Sequence, residues 1–332
     1  MALKCARSEI PVGCVLTPDR FEPVHSATEP PYALRSAARN GRMNESTQPG
    51  SPIEASRPLG SHGGSLVVFF LVTYAVTWFF FITGGTLSAH AMPSAPALLL
   101  ELLLLPGTIA PSVVALWLTA RAEGRAGVQA LLRRIFQWRV ALRWYVFAVG
   151  YMGAIKLAAA LAHQVATGEW PLFGDTPWYV MAAVIPVSMW VQAGEEIGWR
   201  GYALPRLAAR LGLAPASVVL GLIWATWHLP LFFIPGASTA GQSFPLYVLQ
   251  VTALSVAIAF LYWRTSGSLL LVMLMHAAVN NTKDIVPSGV SGATNVFGGS
   301  PSLVAWLTLA FLWMAAAYFL LRMSMARRRG TR

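Results

Sequence analysis

The sequence WYVMAAVIPVSMWVQAGEEIGWRGY, residues 178–202, places two adjacent carboxylates at the end of a long apolar run. A charged side chain at bilayer depth costs at least about 2.5–3.5 kcal/mol, so it generally faces a protein partner or a cavity. Glu195 and Glu196 are therefore hard to explain as lipid-facing residues. The alternative, a helix end in solvent, fits poorly with the apolar residues before the pair and the aromatic residues around it. We interpret this stretch as a functional site inside a membrane protein.

The composition of the whole chain also indicates a membrane protein. Of its 332 residues, 56% are hydrophobic and only 11% are charged, whereas soluble domains carry about 25% charged residues. The net charge of +11 would by itself also fit a nucleic-acid-binding protein. The basic residues, however, lie in short loops beside apolar segments, so we predict no nucleic-acid partner. Cys5 and Cys14 predict neither a disulfide framework nor a metal cluster.

Eight apolar segments approach the roughly 20 residues that a helix needs to cross a bilayer. The sequence therefore predicts an all-α, polytopic transmembrane bundle of about eight spans, covering residues 65–322. A polar tail, 1–64, precedes the bundle and is predicted to be disordered; Met43 within it offers an alternative start. A basic cytoplasmic tail, 323–332, follows. The predicted spans are approximately 65–87, 96–120, 144–166, 178–200, 215–235, 245–263, 268–286 and 302–322.

The distribution of Arg and Lys predicts the orientation of these spans. Arginines follow the second, fourth, sixth and eighth spans, whereas the other loops contain almost no basic residue apart from Lys283. Basic loops lie on the cytoplasmic side of membrane proteins. The sequence therefore predicts an integral membrane protein, in the cell membrane if the source is bacterial, with both termini in the cytoplasm.

The first motif with candidate catalytic residues is Glu195-Glu196-x-x-x-Arg200. Residues four apart share one face of a helix, so Glu196 is expected to pair with Arg200. Glu195 points about 100° away from that face. It is therefore the candidate general base.

Two further motifs lie on later spans. Trp224-x-x-x-His228 occurs in the fifth and is followed by Pro230, which disturbs the backbone. His276-x-x-x-Asn280 occurs in the seventh and places two hydrogen-bond donors on one face. Taken singly, each histidine is as readily explained as a polar contact between helices. Together with the glutamates they supply a base, a water or metal ligand and an oxyanion hole, in a cavity in the cytoplasmic half of the membrane.

The three motifs, in this order and on separate spans, resemble those of the CAAX-protease and bacteriocin-processing (CPBP, or Abi) family of intramembrane endopeptidases. That family is marked by Glu-Glu-x-x-x-Arg, by an aromatic residue four positions before His, and by His-x-x-x-Asn or Asp. The resemblance covers about residues 65–321. One departure is Trp224, where Phe is commoner; because Trp is also aromatic, we expect the difference to have little effect.

The resemblance implies a role for each motif residue. Glu195 and His228 would activate a water molecule, while His276 and Asn280 would hold the oxyanion. The remaining motif residues would support the site or bind substrate: Glu196, Arg200 and Trp224.

The family has been described both as metalloproteases and as glutamate proteases. His228, His276 and Glu195 are side chains that zinc accepts, but the His-Glu-x-x-His spacing is absent. We therefore favour a metal-free mechanism and keep zinc as the alternative. The implied partners are the lipid bilayer and a peptide or membrane-protein substrate. Family members include the endopeptidase that removes the last three residues of prenylated CAAX proteins, but nothing in this sequence selects among such substrates.

Two other classes of protein agree with parts of the pattern. Intramembrane carboxylates also occur in proton-coupled transporters, although the chain shows no inverted repeat and no second interrupted helix in a matching position. A non-proteolytic immunity or scaffold protein could keep the same fold. The complete set of motif residues argues against that alternative.

Overall fold

The computed structural model describes residues 63–91, 97–172, 177–237, 239–282, 285–286 and 302–330. The predicted all-α bundle is confirmed. Within these ranges the α-helices are α1 (Gly63–Ala91), α2 (Ala97–Arg133), α3 (Leu142–Thr167), α4 (Trp178–Glu196), α5 (Leu204–Leu211), α6 (Leu213–Trp227), α7 (Phe244–Arg264), α8 (Leu269–Asn281) and α9 (Leu303–Gly330).

Every one of the eight predicted spans contains a helix, but not every helix is a span by itself. Six helical stretches in the described ranges are long and apolar enough to cross a membrane: α1, α2, α3, α7, α9 and the stretch Leu213–Phe233 that α6 begins. The fourth and seventh predicted spans, α4 and α8, are not among them. With 13 residues, α8 is about 20 Å long, which is less than the roughly 30 Å of the hydrocarbon core.

The two helices that fail this criterion carry the glutamates and the second histidine motif. They pack against each other, α4 also against α2, and α8 also against α3. Most side chains of α8 are buried, including Leu271, Val272, Met275 and His276. Contact with other helices rather than with lipid therefore explains why α8 need not be long enough to cross the membrane.

Only parts of the two predicted tails lie within the described residues. Residues 1–62 of the predicted tail lie outside the described residues, and α1 begins at Gly63. At the other end, α9 continues as a helix to Gly330, through most of the predicted basic tail. The cytoplasmic location of both termini stays a prediction.

Beyond Glu196 the chain widens into a π-helical segment, Ile197–Ala203, whose seven residues are all buried. Such segments are rare and often occur at functional sites. Helix α2 packs closely against the end of α4 and against this segment. The Ser112 hydroxyl of α2 donates to the Ala193 carbonyl of α4 at 2.6 Å. A Cβ atom on Gly198 would lie 2.5 Å from the Pro111 carbonyl oxygen. This contact with α2 fixes the position of the adjacent carboxylates.

The C-terminal end of α6 is irregular for a different reason. Pro230 has no N–H and cannot continue an α-helix, and the chain passes into a 3₁₀ turn, Leu229–Phe233. The backbone N–H of His228 donates to the Ala225 carbonyl at 3.2 Å, not to the carbonyl of residue 224 as in an α-helix. The carbonyl of Trp224 is thereby available to a side chain.

We predict that Gly198→Ala destabilises the protein and that Gly150→Ala does not. The added methyl group at position 198 must displace the backbone of α2, and overpacking of this kind costs about 1–3 kcal/mol. Position 150 is exposed on α3 with open space around it, and Ala favours the helix there. Thermal unfolding of the two variants in detergent micelles measures the difference. Equal stability of both would contradict the close α2 contact.

Candidate active site

The carboxylate of Glu196 lies at the centre of a buried network that joins two helices. Its Oε1 atom accepts hydrogen bonds from Nη1 of Arg200 at 2.7 Å and from Nδ1 of His276 at 2.8 Å. Glu196 and Arg200 are fully buried, and His276 is 4% exposed. The ion pair expected from the spacing is therefore present, and α8 contributes a second donor that the spacing did not reveal.

The neighbouring carboxylate, Glu195, has different surroundings. It is 6% exposed, and its Oε2 atom accepts a hydrogen bond from the indole Nε1 of Trp224 at 2.7 Å. Among the described residues no other group hydrogen bonds to it. Glu196 thus has two donors that can carry positive charge, whereas Glu195 has one neutral donor and an oxygen, Oε1, without a protein donor.

Trp224 contacts members of all three motifs. Its indole N–H donates to Glu195. Its ring stacks on the Arg200 guanidinium, with Cζ 4.1 Å from the ring centroid. It also lies nearly perpendicular to the His276 ring, and the two ring centroids are 5.1 Å apart. The expectation that Trp in place of Phe has little effect stays a prediction, but the hydrogen bond to Glu195 depends on the indole. A phenyl ring has no N–H, so it could not bind the Glu195 carboxylate.

His228 is positioned by the backbone of the same tryptophan. Its Nδ1 atom lies 2.9 Å from the Trp224 carbonyl; because a carbonyl only accepts, Nδ1 carries a proton and Nε2 remains for the site. His228 also interacts electrostatically with Glu195 and His276. Its ring packs against that of Tyr247 of α7, and the two ring centroids are 5.5 Å apart. Sequence reasoning missed Tyr247, since it is one of several aromatic residues in an apolar span and belongs to no motif.

Asn280 stands apart from this cluster. It is exposed, and none of the described residues hydrogen bonds to it. The adjacent Asn281 instead joins α8 to α4 by donating to the Ser188 hydroxyl at 3.0 Å. His276 and Asn280 share a helical face, as the spacing predicts, but the Nδ1 atom of His276 is engaged by Glu196. The structure therefore brings together Glu195, His228 and His276 and leaves Asn280 at the edge.

The described part of the chain contains no group of three His, Cys, Asp or Glu side chains close enough to share a metal ion. A structural or catalytic zinc site needs three or four protein ligands. Zinc binding by His228, His276 and Glu195 and the metal-free alternative both stay predictions.

Comparison with known proteins supports the motif assignment. The family described as type II CAAX prenyl endopeptidase Rce1-like matches residues 176–282. A curated relative, CAAX prenyl protease 2 of Methanococcus maripaludis, is 24% identical over 230 residues, which cover 66% of this chain and 84% of the relative. The predicted family resemblance is confirmed. The matched region starts just before α4 and ends just after α8, so it contains all three motifs, and it supports a membrane protease of the CAAX prenyl endopeptidase-like type.

We predict that Arg200→Met destabilises the protein strongly and that adding Glu196→Gln restores part of the loss. The single change leaves a buried carboxylate without its charged partner, which costs about 3–5 kcal/mol. The double change removes both charges and keeps an amide oxygen that can accept from His276. Unfolding in micelles of wild type, of the Arg200→Met and Glu196→Gln single variants and of the double variant gives the coupling free energy between the two residues.

A matched control is the more exposed ion pair between Arg206 and Glu123, whose atoms are 3.0 Å apart. Glu123→Gln, which removes the charge of the exposed partner, should cost no more than about 1 kcal/mol, as is usual for pairs that water screens. If Arg200→Met costs no more than this control, Glu196 does not depend on Arg200 for its burial.

Proposed function

We propose that this chain is an intramembrane endopeptidase that hydrolyses a peptide bond in a peptide or membrane-protein substrate. The observation that carries the proposal is that one residue, Trp224, holds Glu195 by its side chain and His228 by its backbone. One carboxylate oxygen and one ring nitrogen are thereby left for a water molecule. A base with a second group to orient its water is the arrangement that hydrolysis requires.

In the proposed reaction, the oxygen of the water molecule attacks the carbonyl carbon of the peptide bond while Glu195 accepts a proton from that water. His228 accepts or donates a hydrogen bond through Nε2 and orients that water. The tetrahedral intermediate then collapses: the C–N bond breaks, and Glu195 returns the proton to the leaving amine. The products are a carboxylic acid, which keeps the second proton of the water, and a free amine, and the carboxylate of Glu195 is regenerated.

The negative charge on the tetrahedral intermediate needs donors of its own. We assign this role to His276 through Nε2 and to Asn280 through its amide, as the motif resemblance implies. His276 donates from Nε2 only when its ring carries both protons, since Nδ1 already donates to the Glu196 carboxylate at 2.8 Å. Asn280, which is exposed in the structure, would contact the substrate from the end of α8.

The location of the reaction follows from the arrangement of charges. Arginines follow the second, fourth, sixth and eighth predicted spans, and such loops lie in the cytoplasm. Because Glu195 and Glu196 end α4 next to one of these loops, cleavage is proposed near the cytoplasmic face of an integral membrane protein. The named relative is a CAAX prenyl protease; a C-terminal segment of a membrane-attached protein is therefore one class of substrate to test.

We predict that Glu195→Gln abolishes cleavage while the protein still inserts and folds. Loss of a general base lowers rates by about 10²–10⁴-fold, and the amide keeps an oxygen for the Trp224 N–H. The measurement is a comparison of new peptide termini in membrane fractions of cells with wild-type protein or the variant. The same comparison identifies the substrate.

Glu101→Gln serves as the control for this experiment. Glu101 is an exposed carboxylate of α2, outside the cluster, so its variant should produce the wild-type set of termini. Cleavage products that persist in the Glu195→Gln membranes would refute the enzymatic proposal.

The metal-free mechanism predicts that chelators leave cleavage intact. Purified protein is dialysed against 1,10-phenanthroline, and its rate on a peptide spanning the identified cleavage site is compared with that of the untreated sample. Metal analysis of the active sample should show less than one zinc per chain. Loss of activity on dialysis, with recovery on adding zinc, would favour the zinc alternative instead.

A further inference from the structure

We infer that Trp224 is the positioning residue of the site: its indole N–H selects which oxygen of Glu195 is free to act as the base. The inference rests on the proposed function, because it assigns a task to a residue that supports Glu195. The motif resemblance only requires an aromatic residue at this position, and an aromatic ring as such does not need an N–H.

The burial of Glu195 makes this hydrogen bond important. A carboxylate that is 6% exposed has lost most of its water, and a buried charge without a donor is costly. The Trp224 Nε1 atom is 2.7 Å from Oε2, a short distance that is typical of a hydrogen bond to a charged acceptor. The carboxylate is thus held with Oε2 engaged, while Oε1 has no donor within the part of the chain that the structure describes.

The indole itself is held on several sides. Trp224 is 4% exposed. The Arg200 guanidinium lies over its face, with Cζ 4.1 Å from the ring centroid. The His276 ring is nearly perpendicular to it, with the ring centroids 5.1 Å apart. Stacking of a cation on an indole is favourable when both are desolvated. The Glu196 network therefore orients Trp224, and Trp224 in turn orients Glu195.

The two functions of Trp224 can be separated by mutation. The backbone carbonyl that binds His228 is present whatever the side chain, whereas only the indole supplies a donor to Glu195. Trp224→Phe therefore removes the Glu195 contact and leaves the His228 contact in place. This variant therefore tests the hydrogen bond to Glu195 separately from the one to His228.

Trp227 provides a matched control on the same helix. It is 1% exposed, and its ring centroid is 4.6 Å from that of His228. Its indole N–H is buried without a hydrogen-bond partner among the described residues. Trp227→Phe thus removes the same atoms from an equally buried position beside the cluster, but it breaks no hydrogen bond to a carboxylate.

The first test needs no substrate. Protein labelled with ¹⁵N at its tryptophan indoles is placed in micelles, and the Trp224 N–H resonance is identified by its absence in Trp224→Phe. In Glu195→Ala this resonance should move upfield, because the charged acceptor is gone, whereas in Glu101→Gln it should stay in place. An unchanged resonance in Glu195→Ala would overturn the inference, whatever the protein's activity.

The second test is kinetic and uses a peptide spanning the cleavage site found in the membrane comparison. For Trp224→Phe we expect kcat to fall about tenfold or more, the equivalent of one hydrogen bond to a charged group, with KM unchanged. Trp227→Phe should lose clearly less. An equal loss in both variants, or a change in KM alone, would mean that Trp224 only fills space or binds substrate. Activity in Glu195→Gln would instead refute the proposed function, while the indole resonance would still report whether the hydrogen bond exists.

Discussion

The arrangement of the site depends on burying the carboxylate of Glu196. A carboxylate removed from water must be paired, because its desolvation costs several kcal/mol. Here one oxygen accepts from Arg200, a turn further along the chain, and from His276 on α8. The same contacts that make the charge tolerable also fix α4 against α8. The histidine of the third motif is therefore brought to the glutamates by a structural requirement, and a catalytic cluster can form around it.

Two departures from α-helical geometry complete this cluster, and each has a local cause. The π-helical segment after Glu196 lies where Gly198 allows the backbone of α2 to approach closely. The 3₁₀ turn after His228 starts where Pro230 removes a backbone donor. The first positions the carboxylates, and the second leaves the Trp224 carbonyl to the His228 ring. Irregular backbone is tolerated at membrane depth only where protein surrounds it; the π-helical segment is buried throughout, and the 3₁₀ turn buries Pro230 and Leu231.

The parts of the site that sequence reasoning predicted are those that depend on spacing within one helix. The pairing of Glu196 with Arg200 follows from a separation of four residues, and the all-α bundle follows from the apolar segments. The contacts between helices could not be predicted this way, since no periodicity relates Trp224 to Glu195 or His276 to Glu196. The same reason explains the treatment of α8 as a span: an apolar run does not reveal whether lipid or other helices will surround it. Tyr247 was missed because its neighbours in sequence are all apolar.

Glu195 and Glu196 are adjacent and chemically identical, so their neighbours must create any difference between them. Consecutive side chains project about 100° apart on a helix, so they meet different elements. Glu196 meets a guanidinium and an imidazole, which neutralise it; Glu195 meets a neutral indole N–H. The two carboxylates therefore differ in their hydrogen-bond donors and not in whether the guanidinium is near, because Arg200 also interacts electrostatically with Glu195 and stacks on the ring that binds it.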